Sequence, residues 1–143
     1  MGHIFLSYKK GDRPTAAKLV AALEAEGFAV WWDQNLLPGE HWRETLTERL
    51  MSAQCVVVLW SSLSVGAEGR FVHDEARRAQ RRSVYLPVRL EDVEPPLGFG
   101  EMQSIKLIGW KGDRHAPAFR ALVEAARPMV SGEVAPRSAL PPP

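Results

Sequence analysis

The sequence predicts a doubly wound α/β domain built on one parallel sheet, and three observations carry that expectation. Short β-branched or aromatic runs alternate with helical patterns along the chain. The runs are apolar almost without interruption, as strands covered on both faces are. Because strand and helix alternate, the connections are crossovers and neighbouring strands run parallel. About five strands in so short a chain fit the flavodoxin-like arrangement, with strand order 2-1-3-4-5 and helices on both faces.

The elements follow in order. Residues 4–7 (IFLS) read as the first strand. The first helix begins near Asp12, a good N-cap, has Pro14 in its first turn, and stops at Gly27, which supplies the left-handed residue that ends helices. Its apolar face is Ala16, Leu19, Val20 and Leu23. Residues 28–32 read as the second strand. Trp42, Leu46 and Leu50 recur at i, i+4, i+8 and predict a second helix with a core-facing stripe. Residues 55–60 form the third strand. A third helix spans residues 69–82, with Val72, Ala76 and Ala79 facing the sheet. Residues 84–89 and, more weakly, 105–108 read as the fourth and fifth strands. Phe119, Leu122, Val123 and Ala126 mark the last helix. From Pro128 onward five of sixteen residues are proline. This divides the chain into a domain over residues 1–127 and a Pro-rich linker or disordered tail over 128–143.

Composition narrows the function classes. With 45% apolar and 24% charged residues, the chain has the make-up of a soluble globular domain. Eighteen Lys and Arg against 17 Asp and Glu leave a formal charge of +1, and a dedicated nucleic-acid binder would carry a strong basic excess. The longest apolar run, residues 55–60, is far too short to span a bilayer, and the N-terminus has no signal-peptide h-region. Leu6 stands where myristoylation would want Ser or Thr. Cys55, the single cysteine, sits beside Val56, Val57 and Val58 and reads as a buried reduced thiol, so a cytoplasmic protein is expected.

In this architecture ligands sit beyond the carboxyl ends of the strands, at the point where strand order reverses. That point lies between strands one and three, where the sequence places Ser7, Tyr8, Lys9 and Lys10 on one side and Ser61 and Ser62 on the other. Asp33 and its loop lie beside them. A phosphoacceptor receiver domain would need acidic residues at these places, and the charge sign is wrong. No G-x-G-x-x-G or P-loop run occurs, and His3, His41, His73 and His115 do not have metal-ligand spacing, so no metal is expected. On the third helix, Phe71 and Glu75 stand one turn apart, and Glu75 lies about 60° from the centre of the buried stripe. A carboxylate at such a rim is half desolvated and can exchange a proton near neutral pH. The alternative is a solvated Glu, or one paired with Arg78 and Arg82. Arg77, Arg78, Arg81 and Arg82 read most simply as a solvated helix face. The loop 33–41 carries Leu36 and Leu37 ahead of the turn signal Pro38-Gly39. Apolar residues on such a loop mark a lid, a contact with another chain, or packing back onto the domain.

At these residues the chain resembles a Toll/interleukin-receptor (TIR) domain, over about residues 3–126. Ile4-Phe5-Leu6-Ser7-Tyr8 is similar to the family's first box, Asp33 through Leu37-Pro38-Gly39 to the second box and its BB loop, and Gly109-Trp110 stands where the third box has Phe-Trp. Trp32 replaces the Arg that often precedes the second-box Asp, and Gly109 replaces the third-box Phe. Both departures point away from receptor-style adaptor signalling. Phe71-Val72-His73-Asp74-Glu75 resembles the W-V-x-x-E run of the bacterial NAD-cleaving branch. The resemblance implies Glu75 as catalytic residue, Phe71 as the ring that stacks on the ligand, and Tyr8, Lys9 and Lys10 bordering an NAD⁺ pocket, to which the strand topology adds Asp33 and Ser61 as substrate-binding candidates. It implies an NAD⁺ nucleosidase that releases nicotinamide and leaves ADP-ribose or a cyclic form of it, with NAD⁺ as substrate and no resident cofactor. It further implies self-association with other TIR domains through the loop containing Leu36, Leu37, Pro38 and Gly39, a sensor or effector domain beyond the linker, and a place in bacterial antiviral defence. The rival expectation is a non-catalytic TIR–TIR interaction module.

Overall fold

The computed structural model describes residues 2–33, 39 and 41–132. Five strands, β1 (Ile4–Ser7), β2 (Val30–Trp31), β3 (Cys55–Trp60), β4 (Tyr85–Arg89) and β5 (Ile105–Lys106), form one sheet in the order β2-β1-β3-β4-β5. Every pairing is parallel. The fold is therefore the doubly wound one expected, with helices α1 (Arg13–Ala25), α2 (Trp42–Ser52), α3 (Arg70–Arg81) and α4 (Pro117–Ser131) as crossovers and covers.

Alternation along the strands divides the core in two. Ile4, Leu6, Cys55, Val57, Leu59, Leu86 and Val88 face α1 and α4, while Phe5, Val56, Val58, Trp60 and Tyr85 face α2 and α3. On the first side α1 supplies Ala16, Leu19, Val20 and Leu23, and α4 supplies Phe119, Leu122, Val123, Ala126 and Val130. On the second, Val72, Ala76 and Ala79 of α3 pack on Trp60, whose indole N–H donates to the Tyr85 hydroxyl at 2.9 Å. Pro87 is tolerated inside β4 because residues 85, 87 and 89 direct their backbone groups toward β5, which pairs only with Val88 and Arg89.

Several details differ from the sequence expectations. The second strand was expected over 28–32 but pairs only at Val30–Trp31, since Phe28 turns into the α1 side of the core behind Gly27, whose φ is +95°. The fifth strand ends at Lys106, and Ile108 is exposed. Trp42 was expected in the core stripe of α2, yet it is half exposed, standing at the first residue of the helix. Asp12 stands at the N-cap of α1 without capping it; its carboxylate instead accepts from the Ser61 hydroxyl at 2.5 Å. The last helix does not stop at 127. It runs through Pro128 to Ser131 and ends on left-handed Gly132. The hydrogen bond lost at Pro128 is offset by the burial of Val130 and the packing of Met129 in the last turn. The rest of the expected tail, 133–143, lies outside the described residues, as do Leu36, Leu37 and Pro38 of the loop.

Candidate functional site

The carboxyl end of β1 divides the space around it into two unequal sides. Toward β3, at the point where strand order reverses, the space is filled. The short turn Lys10–Asp12 packs there against residues 61–64. Asp12 holds Ser61, the Ser61 N–H donates to Ser64 Oγ at 2.8 Å, and the Leu63 side chain lies over Gly11 so closely that a Cβ there would overlap it. Burial raises the Asp12 carboxyl above its ordinary range, the Ser61 bond opposing that rise and Glu91 adding to it.

Toward β2 a cleft of about 130 Å³ opens. Its floor is Phe5, Trp31, Leu46 and Val72, and its rim carries Tyr8, Asp33, Phe71 and Glu75. The expected crevice is thus displaced to the other side of β1, because small hydroxyl residues after β3 let the chain turn tightly and close the reversal point.

Glu75 is the chemical centre of this cleft. It projects from the rim of α3, as the helix arithmetic requires, and its Oε1 accepts from the Ser7 hydroxyl at 2.6 Å. Burial pushes its carboxyl up to about 7; the Ser7 bond and Arg78 oppose that rise, while Asp74 and Asp33 add to it. Arg78 pairs with Asp74 at 3.2 Å, and Arg82 donates to the Leu50 and Ala53 carbonyls, tying α3 to the end of α2. The open alternatives for Glu75 are therefore decided in favour of a withdrawn carboxyl. Phe71, one turn earlier, has 67% of its surface exposed, so its ring is available to a ligand at the mouth of the cleft.

The opposite rim is a second polar group. The Tyr8 hydroxyl donates to Asp33 Oδ1, and Arg13 stands 3.8 Å from Asp33 Oδ2. Burial, with the Asp33 bond, pushes the Tyr8 phenol up to about 12. The phenol therefore stays protonated and keeps donating at any physiological pH.

The structure brings Glu75, Phe71, Tyr8 and Asp33 together. It does not bring Ser61, which is fully buried and committed to Asp12 and Ser64. Nor do Lys9 and Lys10 line the cleft: Lys9 Nζ donates to the Glu68 carbonyl at 2.8 Å, and Lys10 is exposed at the start of its turn. Gly39 is exposed with φ +86°, a conformation suited to glycine. Sequence reasoning placed Ser7 at the end of the first strand without its bond to Glu75, and it missed Arg13 and Trp31 as parts of the site. Ser7 had a signal: alternation puts it on the apolar Phe5 face, where a hydroxyl needs a buried partner. Arg13 and Trp31 had none.

A profile of the TIR domain family matches residues 4–123. Among solved structures, a metazoan TIR-STING receptor from C. gigas in complex with 2',3'-cGAMP superimposes with a TM-score of 0.68 at 20% identity, over 91% of this chain and 40% of that one. The TIR domain of the Toll-related receptor TRR-2 from Hydra magnipapillata gives 0.68 at 17% identity, over 89% and 99%. The TIR domains of the activated Roq1 resistosome, which directly recognises the pathogen effector XopQ, give 0.53 at 20% identity, over 62% and 57%. At such identities the likeness is one of fold, and the chain spans less than two thirds of the TIR-STING and Roq1 chains. No curated protein matches it. No described helix is long and apolar enough to cross a membrane.

Proposed function

The chain belongs to the TIR domain family, and from that membership we propose that it is an NAD⁺ nucleosidase whose catalytic residue is Glu75. The observation that carries the proposal is a carboxyl raised to about 7 in a cleft rimmed by an exposed ring. The reaction breaks the bond between ribose C1′ and the pyridinium nitrogen. The bonding pair leaves with nicotinamide, which departs neutral and needs no proton. Positive charge gathers on the ribose as an oxocarbenium ion, and a carboxylate beside it stabilises that charge. Water attack then gives ADP-ribose, its proton passing to Glu75 or to solvent; attack by an adenine nitrogen gives a cyclic form. On this reading Phe71 stacks on the ligand, while Tyr8 and Asp33 border it on the opposite rim. The testing experiment is nicotinamide release by concentrated protein. No release over buffer would reject the proposal.

Phe71→Ala is expected to raise KM for NAD⁺ by about 2- to 12-fold, corresponding to stacking of roughly 0.5–1.5 kcal/mol, with little change in thermal stability because the ring is mostly exposed. Phe71→Trp should keep or improve KM. A large drop in melting temperature with unchanged KM would place the ring in the core.

The proposal extends to regulation. Self-association with other TIR domains through the loop that ends at Gly39 raises activity, the Pro-rich segment joins the domain to a sensor or effector domain, and the setting is cytoplasmic antiviral defence in bacteria. Specific activity should then rise with protein concentration by mass action. Gly39→Pro should suppress that rise, because proline fixes φ near −65° where this loop has +86°. Activity per molecule that stays flat over a hundredfold concentration range, in a chain that remains monomeric by light scattering, would exclude assembly and leave the loop as part of a one-chain site.

A further inference from the structure

We propose that Ser7 is the positioning residue of this site: its hydroxyl holds one oxygen of Glu75 in place and leaves the other to face the ligand. The inference rests on the reading of Glu75 as the working carboxylate, but its test does not require turnover. Ser7 is the last residue of β1, is only 1% exposed, and pairs with Val58 of the neighbouring central strand. Strand pairing fixes its backbone, so the hydroxyl is presented from one of the most constrained parts of the fold. Its proton goes to Glu75 Oε1 at 2.6 Å. Among the described residues Oε2 accepts no hydrogen bond, although Glu75 lines the cleft.

The surroundings explain why such a donor is needed. A glutamate on a helix rim can swing outward to water, and the groups facing this one favour that. Asp74 on the same helix and Asp33 after β2 are like charges. The Tyr8 hydroxyl is engaged in donating a hydrogen bond to Asp33, α2 contributes the apolar Leu46 to the cleft, and Arg78 is drawn toward Asp74 at 3.2 Å. Ser7 thus supplies the direct hydrogen bond by which the protein holds the carboxylate inward. A hydrogen bond to an ionised acceptor is short and roughly twice as strong as a neutral one, and it favours the charged form against burial.

The test is a carboxyl-carbon NMR titration of the full chain labelled at glutamate, with the Glu75 signal assigned by its loss in Glu75→Gln. In folded Ser7→Ala the Glu75 midpoint should move up by about one unit, and Ser7→Thr, which keeps the hydroxyl, should leave it near the parent value. Ser7→Cys, with a weaker donor in nearly the same volume, should move it in the same direction, and it decides the matter if Ser7→Ala does not fold. If NAD⁺ is cleaved, the acid limb of the rate profile should move with the midpoint. A Glu75 midpoint unchanged in the folded Ala or Cys variant overturns the role of Ser7, whereas a shifted midpoint in a chain that releases no nicotinamide upholds that role and rejects the nucleosidase reading alone.

Discussion

Glu75→Gln is expected to lower NAD⁺ cleavage by about 10²- to 10⁴-fold in a chain that stays folded. The exchange removes the charge and keeps the shape, and the Ser7 hydroxyl that now donates to Oε1 at 2.6 Å can donate equally to an amide oxygen. Binding should change less than turnover, since the lost interaction is chiefly with charge that moves onto the ribose only as the glycosidic bond breaks. The parent rate should climb as pH rises through about 7, where burial places the Glu75 midpoint, and the residual rate of the variant should lack that limb. Nicotinamide release measured from pH 5 to 9 on both chains checks this. Comparable turnover by the variant would remove Glu75 from the mechanism.

The same substitution should stabilise the fold at alkaline pH. The Glu75 carboxyl titrates near 7 in the folded chain against an ordinary value of 4.5, the rise being due first to burial. A raised midpoint means that the folded state holds the proton more tightly than the unfolded one. Its stabilising contribution is complete below 4.5 and is lost as pH rises through 7. At about 1.4 kcal/mol per unit, the loss by pH 8 and above is on the order of 3 kcal/mol. Glu75→Gln does not titrate and does not suffer it, so its advantage in unfolding free energy should be larger at pH 8 than at pH 5 by about 2.5 kcal/mol, part of the loss having already occurred at pH 5. Urea unfolding of both chains at the two pH values measures the difference. An equal offset at both would mean that the carboxyl is solvated.

These expectations follow from a part of the molecule that was legible in the sequence, and the reasons are particular. β1 and β3 could be bounded to the residue because four and six consecutive buried positions leave no ambiguity of face. β2 and β5 were drawn too long because apolar runs at sheet edges continue past the two residues that actually pair. Helix geometry could put Glu75 at the rim of α3, since Val72, Ala76 and Ala79 fix which way the helix faces, but not decide between a withdrawn and a solvated carboxyl, which depends on the Ser7 hydroxyl at the end of β1. Ser61, Lys9 and Lys10 could not be placed. They follow strands that point at the expected crevice, and only the three-dimensional turn decides that Ser61 closes on Asp12 and that Lys9 reaches a backbone carbonyl. Trp42 shows the remaining gap: a period says which face a residue occupies but not whether the fold covers it at the end of its helix.

The order of synthesis matters to a sheet covered in this way. β2, β1 and β3, three adjacent strands, are complete in sequence at residue 60, and α1 can pack on them once that residue has left the ribosome. The remaining cover for Ile4, Leu6, Val57 and Leu59 comes from α4, whose Phe119, Leu122 and Val123 are made some sixty residues later. During translation at about 5–20 residues per second, the nascent chain therefore carries a partly bare apolar face for several seconds. A ribosome stalled or a message cut ahead of Pro117 yields a sheet covered on that side by α1 alone, a species prone to aggregate, so productive expression of this domain depends on the last helix reaching the central strand β3.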